Sequence, residues 1–168
     1  MNDTIRSLAS QLGRKLIERN LMVTAAESCT GGLVAAAMTD IAGSSAWFER
    51  GFVTYSNHAK VEMLGVAPDL IEAHGAVSEE VARAMAEGAL LESRAQLAVS
   101  ITGIAGPGGG TRDKPVGTVC FAWVAMDLPV HSETMHFPGD RAQVREQSVS
   151  HALGGLLLRA LAGKGTTP

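Results

Sequence analysis

The chain has 168 residues, 46% of them hydrophobic and 18% charged, with a mean hydropathy of +0.14, a formal net charge of −3 and a pI near 5.9. That length buries most of the apolar surface an unfolded chain exposes, which predicts one domain over residues 1–168 with one main core and excludes a disordered chain. There is no basic excess and no Lys/Arg run mixed with aromatics, which argues against a nucleic-acid partner, and no apolar run reaches the roughly 18–20 residues of a membrane span.

Asp3 and Arg6 flank no apolar segment of the signal-peptide kind, so a cytoplasmic protein without a membrane partner is expected. Cys29 and Cys120 lack metal-ligand spacing and are expected as free thiols; no metal and no cofactor is expected.

In chain order, Ile5, Leu8, Leu12, Leu16 and Ile17 recur at helical spacing behind an Asn2 or Asp3 cap and predict a helix from Asp3 to Asn20. Leu21–Ala26 reads as a short buried strand ending in Glu27-Ser28-Cys29-Thr30-Gly31-Gly32, before a helix over Leu33–Met38. Trp47–Ser56 is a second strand, after which Asn57 caps a short helix closed by Gly65, with Lys60 in its first turn. Ser78, backed by Glu79 and Glu80, opens a helix to about Ser93, and Gln96–Thr102 follows as an apolar strand leading into the glycine-rich Gly103–Gly110. Gly117–Ala125 and Val130–Phe137 form an antiparallel pair around a turn at Asp127-Leu128-Pro129; Asp140 then caps a long last helix, whose tail, Gly163–Pro168, is expected to fray. The order of elements predicts a three-layer α/β/α domain around a mixed, mostly parallel sheet.

Ser28 stands where a strand gives way to a helix and is followed by two glycines, so backbone N–H groups there can receive an anion or an oxyanion. A serine so placed needs a base. His58, His74, His131, His136 and His151 are scattered without a triad order and read as solvated surface residues. A desolvated lysine can serve instead, and Lys60 is the candidate. Cys29, a thiol beside a helix start, reads as a packing residue, and Glu27 as a residue that closes the strand or orients the loop.

Three separated blocks, Glu27-Ser28-Cys29-Thr30-Gly31-Gly32, Tyr55-Ser56-Asn57 with Lys60, and Thr102-Gly103-Ile104-Ala105-Gly106-Pro107, resemble the family of nicotinamide-nucleotide amidases related to the C-terminal domain of the competence-damage-inducible protein CinA. The resemblance runs from Leu16 to about Leu158. It implies hydrolysis of nicotinamide mononucleotide to nicotinate mononucleotide and ammonia, in the recycling of pyridine nucleotides. It also implies Ser28 as nucleophile, Lys60 as its base, and Tyr55 as proton relay or support for the lysine. N–H groups of Thr30, Gly31 and Gly32 are the expected oxyanion donors. Thr102 and Gly103 are expected to line the base pocket. For the substrate phosphate the candidates are Gly106, in a stretch without a Walker ending, and Arg141, with Arg145 as its rival. A non-catalytic interaction module and an amidase for another small carboxamide are the alternatives. The apolar content and the family's habit point to a symmetric homo-oligomer.

Overall fold

The structure, a computed structural model, describes residues 1–162; the expected fraying of the tail from Gly163 lies outside them. Helix α1 (Asp3–Glu18) leads into strand β1 (Val23–Glu27), followed by α2 (Leu33–Thr39), β2 (Phe48–Val53), α3 (Asn57–Leu64), α4 (Pro68–His74) and α5 (Glu79–Leu91). Strands β3 (Leu97–Gly103), β4 (Thr118–Ala125) and β5 (Leu128–His136) come next, and α6 (Arg141–Ala162) ends the described chain. The five strands lie in the order β2-β1-β3-β4-β5. β1 pairs in parallel with β2 and β3, β4 is antiparallel to β3, and β5 is antiparallel to β4. Four strands therefore point one way and β4 alone runs against them, which is the mixed, mostly parallel sheet expected.

Alternation along each strand divides the side chains between two helical layers. Val23, Ala25, Val99, Ile101, Phe121 and Trp123 pack in one core with Leu12 and Leu16 of α1, Val34 and Met38 of α2 and Leu153 and Leu156 of α6. On the other face Ala26, Ala98, Cys120 and Ala122 meet α5, with α3 and α4 outside it. Small residues on that face let α5 lie close to the sheet, whereas the first face carries the large side chains, each contributing about 1.5–3 kcal/mol on full burial. Close approach is needed there as well: a Cβ at Gly155 of α6 would stand 2.1 Å from the Trp123 indole, whose Nε1 donates to the Ala152 carbonyl at 3.1 Å.

Several boundaries differ from expectation. α3 is capped by Ser56, whose Oγ accepts from Ala59 N–H, and Asn57 is its first residue. Asp140 does cap α6, accepting from Gln143 N–H while Gln143 Oε1 accepts from Asp140 N–H, a reciprocal capping box. The β4–β5 turn is the dipeptide Met126-Asp127, with Leu128 already paired to Ala125. Pro129 sits at a register irregularity of the edge strand β5, where its missing N–H costs little. Helix α4, opened by Pro68, is an element beyond those expected. None of the helices among the described residues is long and apolar enough to cross a membrane.

Candidate active site

β1 lies between β2 and β3 and runs parallel to both, so its carboxyl end opens into the crevice where α/β sheets usually place ligands. Ser28 is the first residue beyond that end. Its N–H donates to the Ile101 carbonyl of β3 at 2.9 Å, and the Glu27 carbonyl accepts from Thr54 N–H at 2.8 Å, so the neighbouring segments hold the backbone around Ser28 from both sides.

Lys60 arrives from the first turn of α3. Helical side chains lean toward the helix N-terminus, which here is the end that follows β2 after three residues, and this carries the amine back to the strand ends. Its Nζ stands 3.0 Å from Ser28 Oγ, and 3.1 and 3.2 Å from the carbonyl oxygens of Thr54 and Tyr55. Lys60 is 1% exposed and Ser28 8%. Burial pushes the Lys60 ammonium below its ordinary value, with a smaller opposing contribution from Cys29. Nζ donates to Ser28 Oγ as well as to the carbonyls, and the Ser28 hydroxyl donates to the Tyr55 carbonyl at 3.4 Å; a neutral amine in the same place is able to accept from that hydroxyl through its lone pair.

Glu27 is fully buried and accepts from three N–H groups of the start of α2: Gly32 and Val34 on Oε1 at 3.2 and 2.9 Å, and Ala35 on Oε2 at 3.0 Å. The tight loop between is made possible by Gly31 and Gly32, both at positive φ. Gly31 N–H donates to the Ser28 carbonyl. The donors expected at Gly31 and Gly32 are thus engaged inside the loop, the first by the Ser28 carbonyl and the second by the strand-end carboxylate that caps the helix. Cys29 N–H and Thr30 N–H donate to no backbone carbonyl among the described residues. The Cys29 thiol packs in the core, and burial pushes it up to about 12, so it stays protonated.

The remaining candidates take up different stations. Tyr55 contributes its carbonyl to Lys60, but its phenol is exposed and accepts from Arg141 Nη2 at 3.2 Å; it makes no hydrogen bond to Lys60 or Ser28. Arg141 also donates to the Gly106 carbonyl at 2.8 Å and so ties the glycine-rich loop to the tyrosine at the rim. Thr102 is buried with its hydroxyl donating to the Ala76 carbonyl, toward the α5 face. Gly103 has no room for a side chain, since a Cβ would stand 2.8 Å from Val119. Arg145, one turn beyond Arg141, donates from Nε to the Cys29 carbonyl at 3.1 Å and from Nη2 to the Thr30 carbonyl at 3.3 Å. The sequence offers Arg145 only as a phosphate ligand; the four-residue spacing that sets it on one helix face with Arg141 is the signal that could have brought it to the site. Among the described residues no three His, Cys, Asp or Glu side chains gather as a metal site.

Fold and site together define an α/β/α protein that sets a buried serine against a buried lysine at the carboxyl end of its sheet. Residues 5–160 match the model of the CinA C-terminal domain, and the chain belongs to that family. It is 55% identical over 149 residues to the nicotinamide-nucleotide amidohydrolase PncC of Escherichia coli, covering 89% of this chain and 90% of that one. It is 56% identical over 155 residues to a putative competence-damage inducible protein of Symbiobacterium thermophilum, of whose length it spans only 36%. The crystal structure of the competence/damage inducible protein CihA from Agrobacterium tumefaciens superposes with a TM-score of 0.93 at 47% identity, over 94% of this chain and 96% of that one.

Proposed function

We propose that this chain hydrolyses the carboxamide of nicotinamide mononucleotide to nicotinate mononucleotide and ammonia, through an acyl-enzyme on Ser28 and without a metal ion. The observation that carries the reading is the buried Lys60 Nζ at 3.0 Å from Ser28 Oγ. Identity to an enzyme named for amide hydrolysis of nicotinamide nucleotides supports the substrate.

In this reading neutral Lys60 takes the Ser28 proton as Oγ adds to the amide carbon. The resulting oxyanion is received by the free N–H groups of Cys29 and Thr30, not by Gly31 or Gly32. Collapse of the intermediate breaks the C–N bond, and the Lys60 ammonium protonates the departing nitrogen, giving ammonia and a Ser28 ester. Water then adds to the ester carbon while Lys60 takes one of its protons, and the second collapse returns that proton to Ser28 Oγ and frees the carboxylic acid, which gives its remaining proton to solvent. Tyr55 acts through its carbonyl on the lysine and through its phenol at the rim. Arg141, beside Gly106, receives the phosphate. Gly103 brings bare backbone to the base, and Thr102 holds the strand end through Ala76.

The test is ammonia release from nicotinamide mononucleotide by the purified protein in EDTA. The expected result is one ammonia for each nicotinate mononucleotide formed, with Ser28→Ala lowering kcat by roughly 10⁴-fold or more at unchanged Tm. A folded wild-type protein that releases none would overturn the reading.

A further inference from the structure

We infer that Arg145 is a positioning residue for the oxyanion donors: it holds the Cys29–Thr30 peptide so that the Thr30 N–H faces the oxygen of the reacting carboxamide, and it is not the phosphate ligand. The inference rests on the proposed amide hydrolysis and goes beyond it, to what shapes the site.

Each peptide of the loop is trans and planar, so its N–H points opposite to its C=O. Fixing a carbonyl therefore fixes the next residue's N–H. The Ser28 carbonyl is fixed by Gly31 N–H, which turns Cys29 N–H the other way. The Thr30 carbonyl accepts from Leu33 N–H as well as from Arg145 Nη2, and the Gly31–Gly32 peptide is held by Glu27 through Gly32 N–H. The Cys29 carbonyl differs from these: Arg145 Nε is its only donor among the described residues. Without the guanidinium, no hydrogen bond to that carbonyl opposes rotation of the Cys29–Thr30 peptide, and rotation would present a carbonyl where the oxyanion needs an N–H. A lone guanidinium is suited to this, because its planar fork reaches two successive carbonyls at once in a fixed geometry, which a single ammonium point charge does not impose. Arg145 is half-buried with Nε and Nη2 on backbone carbonyls of the loop after Ser28, whereas Arg141, with Nη1 on the Gly106 carbonyl and Nη2 on the Tyr55 hydroxyl, is exposed at the rim.

The experiment compares wild type, Arg145→Ala and Arg145→Lys on nicotinamide mononucleotide and on the same molecule without its phosphate, nicotinamide riboside, with amide ¹H–¹⁵N spectra of each protein. The inference expects kcat on both substrates to fall by about 10- to 100-fold in Arg145→Ala, short of the roughly 10²–10³ for outright removal of a donor, with KM changed less than about threefold. Arg145→Lys should recover part of kcat, and the Thr30 amide resonance should move in Arg145→Ala while those of β4 stay. A KM increase confined to the phosphorylated substrate would make Arg145 a phosphate ligand and overturn the inference. An unmoved Thr30 amide overturns it too, and that readout needs no turnover. A wild-type protein without ammonia release removes the amidase reading instead, leaving the spectra to decide whether Arg145 holds the peptide.

Discussion

Two of the places where ionisable side chains gather among the described residues differ in what surrounds them. Around Ser28 the lysine is sealed among backbone carbonyls and its charge is penalised by burial. Between β5 and α6, Glu133 lies between two histidines, 2.9 Å from His131 Nε2 and 2.7 Å from His151 Nε2, on a groove of about 1110 Å³ that Trp123, Phe137, Leu158 and Arg159 also line. The second cluster is the richer assembly of acids and bases, and the groove is large. Its carboxylate is nevertheless 38% exposed, and no serine, cysteine or threonine hydrogen-bonds to either of its histidines among the described residues. Burial pushes Glu133 up, but the hydrogen bonds from His131 and His151 outweigh it and hold the carboxyl below its ordinary range. What favours the Ser28 site as the candidate is a desolvated amine set against a hydroxyl, not the number of titratable groups or the size of a groove.

Lys60→Met should break the comparison most strongly, cutting kcat for ammonia release by about 10²- to 10⁴-fold, as expected for loss of a general base. The wild-type pH profile sharpens it. In the proposed reaction only neutral Lys60 accepts the Ser28 proton, so kcat/KM should rise with pH along a limb whose midpoint lies below the ordinary lysine value of 10.5, and a flat profile would argue against a lysine base. The sign for stability is the same: with the folded value below the unfolded one, protonation of Lys60 opposes folding fully below the folded value, and the penalty disappears above the unfolded one.

Cys29→Ala should leave kcat within about threefold and cost about 1 kcal/mol through the small cavity, read by urea unfolding; a large activity loss would point to the thiol as a participant. The smallest effect is expected at the second cluster. Glu133→Gln should leave ammonia release unchanged and lower stability by less than about 1 kcal/mol, given its exposure. Since the Glu133 value is depressed, that contribution exists above the ordinary 4.5 and is lost as the pH falls through the folded value.

Local sequence carried a great deal of this. The apolar run Gln96–Thr102, the caps at Ser78 and Asp140 and the three- and four-residue spacing of Ile5, Leu8, Leu12 and Leu16 dictate elements because each depends on neighbours within a turn or a strand. Ser28 and Lys60 were legible as well, since a strand–glycine–helix junction and the motif blocks around it are local patterns. Three things were decided only by tertiary structure. Glu27 engages the N–H groups of Gly32, Val34 and Ala35 and the Ser28 carbonyl takes that of Gly31, so that of the expected oxyanion donors Thr30 is left, with Cys29 beside it. Tyr55 turns its phenol to Arg141 and gives Lys60 its carbonyl instead. Arg145 reaches back across 116 positions of sequence to the Cys29 carbonyl in the loop after Ser28. A hydrogen-bonding group takes whichever partner folding brings within about 3 Å: for Glu27 and the Tyr55 carbonyl that partner is five to eight residues away, while Arg141 and Arg145 come from 86 and 116 positions off, a separation in sequence that says nothing about distance in space.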